Sequence, residues 1–331
     1  MRYKGQNIFC PSYPMKKAKG ACKRVDSRIR TDLALETKES FDADNVEVQG
    51  VKIEEDYDKE NDIQVTKVVI ETRDGARIMG KPMGNYLTLE APDMVIPDKG
   101  YHREISKVVC KYLKELLGEE GERSILVAGL GNREVTPDSL GPLVVSNLLI
   151  TRHVIKEYGA YGMGEDSINS VSSIVPGVMA QTGMETAEIL KAVIKETSPD
   201  VLIVIDALAA RSVKRLNKTI QLTDTGIHPG SGVGNHRNAI NEGSMGIPVI
   251  AVGVPTVVDA GVIVRDAIEN MAVYEKGKVD ISSSLNSMFV TPKDIDETVK
   301  RISYTISEAL NMAFSSNLNE LGEKGETIEK K

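Results

Sequence analysis

With 331 residues, 41% of them hydrophobic and 27% charged, and a mean hydropathy of −0.19, the chain has the profile of a folded globular protein, long enough for one large domain or two ordinary ones. A formal net charge of −7 and an aromatic content of 4% without Trp argue against direct nucleic-acid binding and against aromatic stacking platforms. Cys10, Cys22 and Cys110 lack CxxC spacing, and neither an 18-residue apolar run nor a secretory h-region is present. A disulfide scaffold, a zinc site and a membrane partner are therefore not expected, and the cytoplasm is the expected compartment.

The first 30 residues are basic, with Asp26 as their single acid, and carry Gly5, Pro11, Pro14 and Gly20 without any helical or strand period. This predicts a flexible extension. Residues 36–62 are acidic and lead into the alternating segments VEVQGVKI, TKVVIE and YLTLE, which predict a β-rich N-terminal part within 33–100. In EISKVVCKYLKELL, 104–117, Ile105, Val109, Leu113 and Leu116 lie on one helical face, and Gly118 stops the helix. The pattern then repeats as strand, turn and helix: SILVAG at 124–129, VSSIV at 171–175, VLIVID at 201–206 and PVIAVGV at 248–254. Short, β-branched, nearly all-apolar runs between helical stretches predict an α/β fold with a mostly parallel central sheet flanked by helices. A final stripe, Ile295, Val299, Ile302, Ile306 and Leu310, predicts a helix packed on that sheet, and the polar 315–331 segment a flexible tail. One α/β domain over 33–314 accommodates these elements.

In open parallel sheets, sites gather beyond the carboxyl ends of the strands. Two acidic residues are expected there. Asp138 follows the Gly-rich turn after SILVAG and reads equally as the N-cap of the next helix or as a site carboxylate. Asp206 ends VLIVID, where a carboxylate is costly unless paired, which favours a functional role. Brought together, such a pair would hold one proton between them, activate water and protonate a leaving amine. A dinucleotide fingerprint fails, because Gly129 and Gly131 fit its first two glycines but Glu134 occupies the third. TDTGIHPGSGVGNHR, 223–237, predicts a mobile loop over the site; its His228 and His236 lack metal-ligand spacing, and His102 and His153 stand alone. Ser139, Ser172 and Ser173 lack a G-x-S-x-G context.

RTDLALE at 30–36, GLGNREVTPDSLGP at 129–142, VPGVMAQTGMET at 175–186, VIDALAAR at 204–211 and TGIHPGSGVGN at 225–235 resemble, in this order, the hallmarks of the germination protease family. The resemblance runs from about Arg30 to the last helix. It implies a homotetrameric endopeptidase, made as a zymogen, that degrades small acid-soluble spore proteins in the spore core once germination begins. It also implies a fold shared with hydrogenase maturation peptidases, no cofactor and no metal, and a catalytic pair of aspartates matching Asp138 and Asp206. The zymogen cut it implies falls between Asp32 and Leu33, making 1–32 a propeptide. That segment is longer than the family's short propeptides, so either the propeptide is extended or the chain starts at Met15. Apart from the resemblance, RTDLALE reads as the first turn of a helix with Thr31 as N-cap.

Two other functions compete. A nickel-linked maturation peptidase on the same fold is disfavoured by the missing His pattern. A non-catalytic α/β module would use the 223–237 loop to bind an anion. If the chain is a zymogen, its basic extension could lie against the acidic 36–62 region or the aspartate cleft until the local pH falls.

Overall fold

A computed structural model of the chain describes residues 32–43, 48–118, 121–159, 169–230, 237–269, 285 and 288–315. The basic extension, the end of the polar tail, Cys10, Cys22, Thr31 and His236 lie outside these residues, as does the core of the Gly-rich loop, 231–236.

The strands are β1 (Val51–Asp58), β2 (Ile63–Ile70), β3 (Gly84–Glu90), β4 (Ser124–Gly129), β5 (Ser170–Ile174), β6 (Val201–Ala210), β7 (Thr219–Thr223), β8 (Val249–Asp259) and β9 (Phe289–Val290). The helices are α1 (Ala34–Ala43), α2 (Arg73–Met79), α3 (Lys99–Leu117), α4 (Leu140–Ser146), α5 (Arg152–Tyr158), α6 (Met179–Thr182), α7 (Thr186–Thr197), α8 (Glu242–Met245), α9 (Ala260–Glu269) and α10 (Ile295–Phe314).

Among the described residues all nine strands join one sheet, in the order β1-β2-β3-β7-β8-β6-β4-β5, with β9 on β8. The four runs of the repeating strand–turn–helix pattern form its parallel half, where β4 pairs with β5 and β6, and β6 with β8. The β-rich N-terminal part is not a separate layer. Its meander enters the same sheet because β3 pairs antiparallel with β7, and β7 with β8. The outermost strand, β1, is almost wholly exposed and carries Glu54, Glu55, Asp56 and Asp58, charges that discourage edge-to-edge pairing.

Alternation along the buried strands separates two cores. Ile125, Val127, Ile203 and Ile205 meet α3, α4 and α10, whereas Leu126, Ala128, Leu202 and Val204 meet α7 and α8. The helix expected over 104–117 begins earlier, at Lys99, because Asp98 accepts hydrogen bonds from the amides of Gly100 and Tyr101 at 2.9 and 3.2 Å. Cys110 is a buried core thiol. His102 does not stand alone: its ring bonds Thr305 Oγ1 at 2.7 Å and the Ile96 carbonyl at 3.1 Å, joining α3 to α10.

Two differences from the sequence pattern shape the site. β6 does not stop at Asp206 but runs on to Ala210, because β8 continues alongside it to Asp259 and supplies backbone partners. α1 begins at Ala34, and the first amide of the helix is capped from afar, by Gln221 Oε1 at 2.8 Å.

α1 is pinned to the sheet by polar contacts. Glu36 accepts from the amides of Arg211 and Ser212 at 2.8 and 2.9 Å. The mostly buried Arg215 bonds Glu39 through both terminal nitrogens, at 2.7 and 2.6 Å, and Glu90 through Nε at 2.9 Å. Truncating one member of such a network strands the remaining charges. Arg215→Ala is therefore expected to lower unfolding stability by about 2 kcal/mol and to speed proteolysis within 34–43; chemical denaturation and limited digestion measure the two effects.

Candidate active site

β4 ends at Gly129 while β6 and β8 continue, which leaves a step in the sheet. The last parallel rung is the Leu130 amide on the Ile205 carbonyl at 2.8 Å. Beyond it the chain turns through Gly131, whose φ of +104° favours glycine. A Cβ at this position would lie 2.1 Å from the Asp138 carbonyl oxygen. Gly141 on α4 is equally constrained, since a Cβ there would fall 2.4 Å from the Leu130 carbonyl. These glycines let the loop fold back closely on its own helix.

Of the two readings left open for Asp138, the structure rejects the N-cap. Ser139 occupies that position, and Asp138 closes a short 3-10 turn, Thr136–Asp138. Its Oδ2 instead accepts the Asn132 amide at 2.8 Å, and Thr256 Oγ1 holds the neighbouring Pro137 carbonyl at 2.7 Å. The carboxylate is thus held by its own loop, and the turn that carries it is held by β8.

Asp206 lies at the step itself, on the face of Leu202 and Val204, and is only 7% exposed. Its Oδ1 accepts the Ala207 amide at 3.0 Å. Asp138 and Asp206 line one cavity of about 390 Å³, together with Asp32, Gly177, Arg237 and Thr256. Burial, followed by the charges of Asp138 and Asp32, pushes the Asp206 carboxyl well above the usual carboxylate range, against the Ala207 amide and Arg237. Burial also raises Asp138, opposed by the Asn132 amide and Arg237. Two carboxyl groups that repel each other in little water have the physical prerequisite for sharing one proton.

Asp32 enters this cavity from the N-terminal side, along β6. Its amide donates to the Ala209 carbonyl at 3.2 Å, and its Oδ2 accepts the Ala209 amide at 3.0 Å. Leu33 is fully buried against Leu208, Ala210 and Ile227. Asp32 thus shares the cavity of the two aspartates, and Leu33 packs beside it on the same strand.

A second cavity, of about 320 Å³, adjoins the first through Asp32 and Arg237 and is lined also by Lys81, Tyr86, Gln221 and His228. Both ends of the Gly-rich loop thus border the site. His153 is exposed on α5. Among the described residues no three His, Cys, Asp or Glu side chains converge to hold a metal ion. Sequence reasoning missed Lys81, Gln221 and Arg237; Gln221 is one of three polar residues in the alternating TIQLT of β7, and Lys81 only follows a helix-ending glycine.

The germination protease family model matches residues 29–279. A germination protease of Caldanaerobacter subterraneus subsp. tengcongensis is 44% identical over 316 residues, spanning 88% of this chain and 96% of that one. One from Clostridium perfringens is 42% identical over 315 residues with the same coverage. Among solved structures, a NiFe hydrogenase maturation protease from Thermococcus kodakarensis aligns with a TM-score of 0.31 and 16% identity, over 60% of this chain and 98% of that chain, a likeness too slight to carry an argument.

A raised carboxyl pKa means that the folded state binds the proton more tightly than the unfolded chain. The stability Asp206 contributes is thus fully present below the unfolded value of about 3.9 and is lost as pH rises through the raised folded value. Asp206→Asn, which removes the cost of either protonating or burying that carboxylate, is expected to raise the melting temperature at pH 7 by about 2–4 °C, with the difference from the parent shrinking towards zero near pH 4. Melting curves at the two pH values check the sign.

Proposed function

The chain belongs to the germination protease family, and from that premise we propose that it is an endopeptidase that begins the breakdown of small acid-soluble spore proteins during germination, made as a zymogen and activated by its own cut between Asp32 and Leu33. The observation that carries this reading is the placement of that peptide: Asp32 lines the same cavity as Asp138 and Asp206 and is bonded to β6 at Ala209. Residues 1–32 then form the propeptide and 33–314 the protease domain. The family resemblance extends the proposal to a homotetramer working in the spore core.

The two carboxyl groups have different environments, and these support different roles for them. Asp206, buried deeper and repelled by two other carboxylates, holds the shared proton. Asp138, whose Oδ2 receives the Asn132 amide, is ionised and takes a proton from water. The water oxygen bonds to the Asp32 carbonyl carbon, the bond to the Leu33 nitrogen breaks, and that nitrogen leaves with the proton from Asp206. An aspartate pair is the finer part of the proposal; a peptidase activity is the coarser part.

Asp138→Asn and Asp206→Asn in the full-length chain are each expected to slow release of residues 1–32 by about 10²–10⁴-fold, read by mass spectrometry of the new N-terminus at Leu33. Release of 1–32 and digestion of a small acid-soluble spore protein at parental rates by both variants would reject the pair. In a parallel arm the parent is treated with a chelator. Activity is expected to persist, and loss that only added metal restores would identify a metallopeptidase.

A further inference from the structure

The antiparallel half of the sheet reaches into the site through Lys81 and Gln221. α2 is capped at its start by Thr72 Oγ1 on the Gly75 amide, 3.0 Å, and at its end by Gly80 in the left-handed region, φ 64°. The Lys81 amide closes back on the Ala76 carbonyl at 3.2 Å, the arrangement in which a helix end fixes the residue that follows it. The Pro82 carbonyl is held in turn by Tyr86 Oη at 2.9 Å. Lys81 thus leaves a rigid corner, and although its stem is part-exposed its ammonium is buried.

That ammonium donates to the carbonyl oxygen of Asp32 at 2.9 Å. Among the described residues no carboxylate lies within ion-pair distance of it; desolvation lowers its pKa from the ordinary lysine value, while the more distant charges of Asp32 and Glu36 oppose the shift. A buried cation directed at a neutral peptide oxygen is an expensive arrangement for mere attachment. Gln221, buried on β7, donates from Nε2 to the same oxygen at 3.3 Å and accepts the Ala34 amide on Oε1 at 2.8 Å. Its amide therefore brackets Leu33 as a neighbouring strand would, and both donors meet at one oxygen.

We propose that Lys81 and Gln221 form the oxyanion site for self-cleavage, with Lys81 a catalytic residue that stabilises the charge developing on the Asp32 carbonyl oxygen. The proposal rests on reading Asp32–Leu33 as the self-processed bond. As water adds to the carbonyl carbon, the C=O electron pair moves onto the oxygen held by Lys81 and Gln221; it returns when the bond to the Leu33 nitrogen breaks. A fixed positive donor in a site with little water stabilises that charge far more than it stabilises the ground-state carbonyl. The work is divided across the sheet, with carboxyl groups from the parallel half moving protons and the antiparallel half holding the oxygen.

Single-turnover release of residues 1–32 from the full-length chain tests this. Lys81→Met is expected to slow it about 10²–10³-fold with little change in the melting temperature, Lys81→Arg to recover part of the rate, and Gln221→Met to slow it about tenfold or more. A lysine that only pinned the segment would instead show a lowered melting temperature and faster cleavage at 32–34 by an added protease. Parental self-cleavage by folded K81M overturns the proposal whatever D206N does. Slow K81M with parental D138N and D206N overturns the aspartate pair and leaves the oxygen site standing. Should K81M not fold, Q221M decides by the same rule.

Discussion

The carboxyl group of Asp206 has given up nearly all of its water in the middle of an apolar strand, and folding tolerates such a group only where neighbours hold it neutral or meet its charge. The surroundings follow from that. β4 stops one residue short of it, opening the cavity; the Gly131 turn brings Asp138 to the same cavity; β8 runs on beside β6, closing the far wall and supplying Thr256 to hold the Asp138 turn. An unbroken sheet would have covered Asp206, and a shorter β6 would have left Asp32 no strand to lie along.

The same step in the sheet explains why the segment around Asp32 sits where it does. Past β4, the edge of β6 offers the Ala209 amide and carbonyl, and both go to Asp32. Leu33 fills an apolar recess on the same strand, and Glu36 bonds the two amides that follow it. Backbone pairing, one buried side chain and one carboxylate define a register, and a slip of one residue would break all three contacts.

Much of this was legible in the sequence because burial leaves compositional marks. Three runs of the parallel half, β4, β6 and β8, had almost no polar face to expose, and the stripes on α3 and α10 recur at helical spacing. Asp206 was visible as a charge at the end of a run that should carry none. What could not be read depended on partners remote in the chain. The extension of β6 to Ala210 needs β8, and the merging of the N-terminal meander into the main sheet needs β7. Lys81 and Gln221 carry no local signal of their role, since their meaning comes from an oxygen 49 and 189 positions away. The N-cap that the sequence allowed for Asp138 lost to Ser139 because the loop needed that carboxylate for the Asn132 amide.

The full burial of Leu33 has a consequence for what hydrolysis at that bond would leave behind. Where one neutral peptide stood, there would be an ammonium on Leu33, in a recess lined by Leu208 and Ala210, and a carboxylate on Asp32, one oxygen of which already meets Lys81 and Gln221. α1 would stay anchored through Glu36 and Arg215, so the new terminus could not drift away whole; only its first residues could unwind towards water. Such a latch opens in one direction, because resealing it would require two freshly hydrated charges to be stripped of water again.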